Sequence, residues 1–241
     1  MYERGYVAAN DGNVSVRLPS NRILTTPSGA CKGTLSPQQL IVTDFTGKCV
    51  SGKGKPSSEI RMHIAAYQQR PDVNAVIHAH PPISTAFSIA GVSMAQCILP
   101  EVLLSLGCVP TTDYATPTTA EGPEVIRELI LHHDALILDR HGTLTVGGNL
   151  NSAYMKLERV EHAAQTTLYA RQLGQVNLLS KDQVKRLFAA RQEMGLKPLR
   201  PGCSQCGSCL RANQEPQENQ SGLVETIVQE ILKEQGRQHQ S

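Results

Sequence analysis

The pair His78-Ala79-His80 closes the mostly apolar run Val73-Asn74-Ala75-Val76-Ile77. Alternate residues of a strand point to one face, so a His-x-His at its end sets two imidazoles side by side, as a metal ion requires. His141 follows a second buried-strand pattern, Ala135-Leu136-Ile137-Leu138, and precedes Gly142, which suits a tight turn where a strand ends at a site. Two strand ends thus converge on one chemistry, and Glu59 in Ser57-Ser58-Glu59 offers the carboxylate that would complete the shell. Three neutral imidazoles leave a zinc ion its full positive charge and an open position. His63, His132, His133 and His162 stand in helical or loop-like stretches without this context and are read as solvated or structural, although Glu59 and His63 at i, i+4 could mimic a zinc-binding face.

The elements that must position these groups alternate between strand and helix patterns. Residues 14–18 and 22–25 read as short strands around a Pro-Ser-Asn turn, and 39–43 pairs with 48–50 around Asp44-Phe45-Thr46-Gly47. Ser57-Ser58-Glu59 opens a helix that runs to Arg70 and is ended by Pro71-Asp72. A strand over 73–79 is followed by a helix over 82–90. Residues 121–132 form an amphipathic helix whose Val125, Ile126, Leu129 and Ile130 make one stripe. Strands over 135–138 and 144–146 precede a long helix over 151–173.

Composition bounds the function classes. A chain of 241 residues with formal net charge +2, scattered basic residues and 4% aromatics offers no nucleic-acid platform. No apolar run is long enough to cross a bilayer, and the N-terminus lacks the order of a signal peptide, so neither a membrane partner nor export is expected. In a cytoplasmic chain the seven cysteines are reduced thiols rather than a disulfide framework.

Six segments carry a family resemblance: Asn10-Asp11-Gly12-Asn13-Val14-Ser15-Val16-Arg17, Thr26-Pro27-Ser28-Gly29, Ser57-Ser58-Glu59, His78-Ala79-His80, Tyr114-Ala115 and His141-Gly142. Their order and spacing resemble the class II aldolase/adducin family over about residues 3–199, and within it the L-fuculose-1-phosphate aldolases. The resemblance implies an α/β fold, a central and mainly antiparallel sheet sandwiched by helices. It implies one Zn2+ per subunit held by His78, His80, His141 and Glu59, and cleavage of a deoxyhexulose 1-phosphate (L-fuculose or L-rhamnulose 1-phosphate) to dihydroxyacetone phosphate and L-lactaldehyde through a metal-stabilised enediolate. Glu59 would then move the proton at the nucleophilic carbon, and Tyr114, reaching in from a neighbouring subunit of a homotetramer, the proton on the C4 oxygen. Asn13, Ser28, Gly29, Ser57 and Ser58 match the family's phosphate contacts. A dehydratase or 4-epimerase on the same scaffold is the alternative enzyme, although epimerases tend to carry aspartate where Glu59 stands. An adducin-like binding module would be expected to lose the ligands that this chain keeps.

Two features depart from the family pattern. Members have a further helix before the segment that begins here at Met1-Tyr2-Glu3-Arg4-Gly5, so a truncated or misassigned start is expected. Beyond the catalytic unit, 1–199, lies a polar linker, 200–222, containing Cys203, Cys206 and Cys209, which could bind a metal or cluster or stay reduced. Residues 223–235 then repeat apolar pairs every four residues, a short amphipathic helix that either folds back on the enzyme or resembles the encapsulation peptides that dock on bacterial microcompartment shell proteins.

Overall fold

The computed structural model describes residues 1–195. The cysteine-bearing linker, the helix expected over 223–235 and the last residues of the catalytic unit lie outside the described residues. Seven strands form one sheet: β1 (Asn13–Leu18), β2 (Arg22–Thr25), β3 (Ile41–Asp44), β4 (Cys49–Ser51), β5 (Ala75–Ala79), β6 (Ala135–Leu138) and β7 (Gly142–Gly147). Their order is β4-β3-β2-β1-β5-β7-β6, with every pairing antiparallel. The helices are α1 (Ile60–Gln69), α2 (Pro82–Ile89), α3 (Pro100–Ser105), α4 (Glu121–Ile126), α5 (Leu150–Leu173) and α6 (Lys181–Glu193).

Period-2 alternation sorts the strands' side chains onto two faces, and the helices divide between them. Val76, Leu136, Leu138, Leu144 and Val146 pack with Ile60, Ile64 and Tyr67 of α1 and Ile126 of α4. Ala75, Ile77 and Ala79 face Ala153 and Leu157 of α5, while Ala135 and Ile137 face Phe87 of α2 and Val160 of α5. β5, β6 and β7 are buried on both faces because both are covered. This is the sandwiched antiparallel sheet expected from the sequence.

The expected boundaries differ where local bonding intervenes. β3 starts two residues late because Pro37–Gln39 makes a 3-10 turn in which Ser36 and Gln39 cap each other. β5 starts at Ala75 because Val73 N still bonds Arg70 O in the turn after α1. The helix expected over 121–132 breaks: α4 ends at Ile126, and from Arg127 onward the bonds tighten to i→i+3, ending in a 3-10 turn over Leu129–Leu131. Its stripe survives, with Ile126 and Ile130 fully buried. Two helices were missed, α3 and α6, although Pro100 at N1 and the Ser180/Gln183 capping box were readable start signals.

A buried polar seam joins β1 to α1. Asn13, Ser15 and Arg17 recur at period 2 on β1, and Glu59, His63 and Tyr67 recur at i+4 on the facing side of α1 and its first turn. Asn13 Nδ2 donates to Glu59 Oε2 at 2.7 Å. The Ser15 hydroxyl joins His63 Nδ1 at 2.7 Å and Tyr67 Oη at 2.8 Å. Arg17 donates to the Tyr67 carbonyl at 2.6 Å and lies 4.9 Å from the Tyr67 ring centroid. His63 is therefore not solvated, and neither is His133, which bonds Cys108 O; both are buried, while His132 and His162 are exposed. The far end of α1 is tied down by Arg70, 4% exposed, which pairs with Asp72 and Asp134, and Asp134 in turn takes Lys156 of α5 at 2.6 Å.

Ser15→Ala removes the atom that both His63 and Tyr67 use, leaving His63 Nδ1 buried and unpaired and the Tyr67 hydroxyl with the Val76 backbone alone. A loss of about 1–3 kcal/mol in urea unfolding is expected, the cost of one orphaned buried group. A loss under about 0.5 kcal/mol would mean that the seam is not a stability determinant.

Candidate metal centre

β5 delivers the two histidines of the His-x-His pair at its C-terminal end. His78 lies between Asn13 of β1 and Leu144 of β7 in the sheet register and is fully buried. His80 lies just past the strand, where His80 N bonds Tyr6 O and α2 begins two residues on. Glu161 of α5, itself buried, holds that helix start with both carboxylate oxygens, accepting from Ile83 N at 2.8 Å and Ser84 N at 2.9 Å.

His141 comes from the β6–β7 turn. The left-handed position of this turn is taken by Arg140, φ 55°, whose N–H donates to the Ser88 hydroxyl of α2 at 2.9 Å. Gly142 is needed for close approach rather than for turn geometry. A Cβ there would collide with the Ala79 carbonyl oxygen and come within 2.9 Å of the His80 ring. That absence of a side chain lets the two strand ends meet.

The three imidazoles close on one point, their ring centroids 4.7–4.9 Å apart and one nitrogen of each within 4.8 Å of the others. Glu59 joins them, Oε2 at 3.4 Å from His78 Nε2 and Oε1 at 3.2 Å from His141 Nε2. The chemistry of the donor set fits a cation. His78 Nδ1 donates to Thr143 O at 2.9 Å, which places its proton on that side and leaves Nε2 a bare lone pair. Asp11 Oδ2, 3.6 Å from His80 Nδ1, biases that ring the same way, so the 2.9 Å approach of His80 Nε2 to His78 Nε2 sets two lone pairs against each other beside a carboxylate. A divalent ion between them turns that repulsion into ligation.

Electrostatics keep the set ready to bind. Burial pushes His78 down to about 3, helped by His80 and His141 nearby, and burial also lowers His80. Burial alone would raise Glu59, but the hydrogen bond from His141, the neighbouring imidazoles and the Asn13 amide hold it well below the usual carboxylate range. With burial disfavouring the charged forms of His78 and His80, the hydrogen bonds from Asn13 and His141 are what keep Glu59 ionised.

Residues 1–168 match the family model described as Class II Aldolase and Adducin N-terminal domain. The chain belongs to the class II aldolase and adducin family. It is 37% identical over 165 residues to an L-fuculose phosphate aldolase of Methanococcus vannielii, covering 68% of this chain and 88% of that one. It is also 34% identical over 168 residues to a 3-oxo-tetronate 4-phosphate decarboxylase of Escherichia coli K12, covering 68% and 79%. Among solved structures, an L-fuculose 1-phosphate aldolase aligns with TM-score 0.72 and 26% identity, over 80% of this chain and 90% of that chain. The chain is thus an enzyme of the class II aldolase type, a lyase, and such aldolases are metal-dependent.

Around this family centre the other residues singled out from sequence are placed as follows. Asn13 is buried, spends its amide on Glu59 and, at 3.3 Å, on Ser57 Oγ, and keeps Oδ1 without a partner among the described residues. Ser57-Ser58-Glu59 is the turn before α1 rather than its first turn: Ser57 O accepts from Ile60 N and Ser57 Oγ from Glu59 N. Ser28 and exposed Gly29, φ 73°, form a turn joined to the same place, with Ser28 N donating to Lys55 O and Pro27 bridging Pro56. Tyr114 is 57% exposed and lies apart from the histidines' contacts. Its loop neighbours Ala115 and Thr116 line a cleft beside Glu59 and His141, with Arg61, Thr112 and Asp139. Sequence reasoning missed Glu161 and Ser88, whose roles depend on contacts across the fold and carry no motif.

The buried histidines give the metal-free protein a pH-dependent stability. Burial holds His63 at about 4, below its unfolded value near 6.5. Between these values the unfolded chain takes up the proton and the folded one does not, so stability falls as pH drops from about 6.5 toward 4, by on the order of 3 kcal/mol from His63. Urea midpoints of the chelator-treated protein at pH 7 and 4.5 should differ, and the difference should shrink in His63→Gln; equal slopes in both proteins would contradict this.

Proposed function

We propose that this enzyme is a zinc-dependent aldolase that splits a deoxyhexulose 1-phosphate, L-fuculose or L-rhamnulose 1-phosphate, into dihydroxyacetone phosphate and L-lactaldehyde. The observation that supports the reading is the ionised Glu59 set among three histidines whose ring nitrogens converge within 4.8 Å of one another. His78, His80, His141 and Glu59 would hold the ion, which when bound supplies Lewis acidity toward a carbonyl oxygen.

The remaining work falls to the chain's own groups. Cleavage breaks the C3–C4 bond, so the proton on the C4 hydroxyl must leave and C3 must gain one. A tyrosine hydroxyl suits the first transfer, and Tyr114 of the partner subunit in a homotetramer is assigned to it, its exposure on one subunit being what such a shared site requires. Glu59 handles the proton at C3. A carboxylate gripped by Asn13 on one oxygen and by His141 on the other is oriented for that transfer and is free to exchange partners when substrate enters. Ser28, Gly29, Ser57, Ser58 and Asn13 are assigned to the phosphate. They lie on two loops and the start of β1, which the Ser28–Lys55, Pro27–Pro56 and Asn13–Ser57 contacts gather together.

Relatives named 3-oxo-tetronate 4-phosphate decarboxylase support a second reading, in which the bond that breaks leads to a carboxylate and the same site handles the carbanion left behind. A solved Escherichia coli structure named as an aldolase/epimerase/decarboxylase, 31% identical with TM-score 0.71, gives the 4-epimerase reading some support as well. We assign the enzyme to the cytoplasm, and residues 223–235 to recruitment by microcompartment shell proteins on the strength of their sequence pattern alone. Among the described residues no helix is long and apolar enough to cross a membrane.

Zinc-loaded protein incubated with fuculose 1-phosphate and rhamnulose 1-phosphate should release dihydroxyacetone phosphate. Glu59→Gln should lower kcat by about 10²–10⁴-fold, the range for loss of a general acid or base. His80→Ala should lose zinc as measured by metal analysis of the dialysed protein, with activity falling alongside. Carbon dioxide from 3-oxo-tetronate 4-phosphate, with no cleavage of either ketose phosphate, would replace the aldolase by the decarboxylase.

A further inference from the structure

The five groups assigned to phosphate are all neutral, while Asp11 and Glu59 put two carboxylates at the same end of the sheet. A phosphate dianion approaching such a place needs a cation. Lys32, in the loop after Ser28-Gly29, is the part-buried one. Its Nζ donates to Asn10 O at 2.6 Å and to Ala30 O at 2.9 Å, so it clasps the loop that leads to Asn13 against the loop that carries Ser28 and Gly29. Its charge interacts with Asp11 and Glu59. An ammonium has three N–H groups, and the two carbonyls leave one unspent. Lys53 and Lys55 lie on the neighbouring loop, but both are exposed, with no fixed direction from a part-buried stem. Arg61 lines the cleft with Ser58, Thr116 and Asp139, outside the clasp that joins the Asn10 and Ser28 loops.

We infer that Lys32 is a specificity-determining residue that reads the anionic phosphate of the substrate, its third N–H and its charge making a neutral cradle selective for a phosphate monoester. This rests on the reading that the substrate is phosphorylated, which the aldolase and the decarboxylase readings share. Burial loosens the proton of Lys32 and the charge of Asp11 opposes that effect. The carboxylate thus helps to maintain the cation that offsets it.

The test uses zinc-loaded full-length protein and inorganic phosphate as the probe, with Lys32→Met, Lys32→Arg and the milder Lys32→Gln. In Lys32→Met, KM for the ketose phosphate and the dissociation constant of inorganic phosphate should both rise about 10–100-fold, with kcat down less than about threefold and zinc content unchanged; Lys32→Arg should restore most of the affinity. A clasp without a reading role gives the opposite split: thermal stability and kcat fall together while phosphate affinity and KM stay put, and that result overturns the inference. Should Lys32→Met fail to fold, the same split is read on Lys32→Gln. Wild-type protein that binds phosphate but turns over no ketose phosphate defeats the aldolase reading and leaves the phosphate titration of the variants to decide on Lys32.

Discussion

The polar seam between β1 and α1 is the constraint on which the site depends. Helix-to-sheet contacts are usually apolar and tolerate sliding, because apolar contact is non-directional. Here every rung is directional: Asn13 to Glu59, Ser15 to His63 and Tyr67, Arg17 to the Tyr67 carbonyl and ring. Two periodicities have to agree for this to form, 2 on the strand and about 4 on the helix, and they agree in one register only. A one-residue slip of β1 would turn all three residues to the α5 face and strand three buried partners. The seam therefore fixes where α1 starts relative to the sheet, and the residue just ahead of that start is Glu59. The carboxylate reaches the histidines because residues up to two helical turns away have nowhere else to bond.

The histidines obey a different constraint, the close approach of two strand ends. His78 and His80 ride on β5, which is hydrogen-bonded on both sides and apolar through its length, so their direction is set by the sheet. His141 rides on a turn, which needs outside support. Ser88 gives it from α2, and Glu161 fixes α2 from α5. The missing side chain at Gly142 allows the turn to lie against Ala79 and His80. One histidine pair is thus held by the sheet and the third histidine by a relay through two helices.

What was legible in the sequence followed from local periodicity. The His-x-His pair, its apolar strand and the second run before His141 announce themselves within ten residues, and the sheet places them as that spacing implies. His63 was legible only as solvated or structural, and what decides for structural is Ser15, 48 positions earlier in the chain. Asn13 shows the same limit, since its neighbourhood reads as a turn and its partner Glu59 is 46 positions away. The break after α4 was hidden because a 3-10 turn preserves the burial of Ile126 and Ile130, so the apolar stripe looks continuous in either geometry. Lys32 belongs to no motif, and only the carbonyls of Asn10 and Ala30 give its stem a direction.

The charge of the candidate site is compatible with either of the reactions named among the relatives. Three neutral imidazoles and one carboxylate around a divalent ion leave a net charge of about +1, and Asp11 behind His80 reduces the field further. Such a centre can withdraw charge from a carbonyl oxygen without trapping the anion that results. The first bond to break then depends on what is attached to the adjacent carbon, a hydroxylated carbon for an aldol cleavage or a carboxylate for a decarboxylation. Selection between these would fall to groups beyond the histidines and Glu59: the hydroxyl-rich cleft with Ser58, Arg61, Thr112 and Thr116, and the loops of Ser28, Lys32 and Ser57. On the proposed reading, a phosphate anchored by these loops would set which carbon of the substrate reacts, so anchoring would determine regiochemistry as well as affinity. The cleft side then has only to accept the half that departs. An aldehyde and carbon dioxide both depart neutral, but the carboxylate of a decarboxylation substrate would first have to bind beside Asp139 and Glu59, with Arg61 the cationic side chain in the cleft's lining, and this difference is where the two chemistries would part.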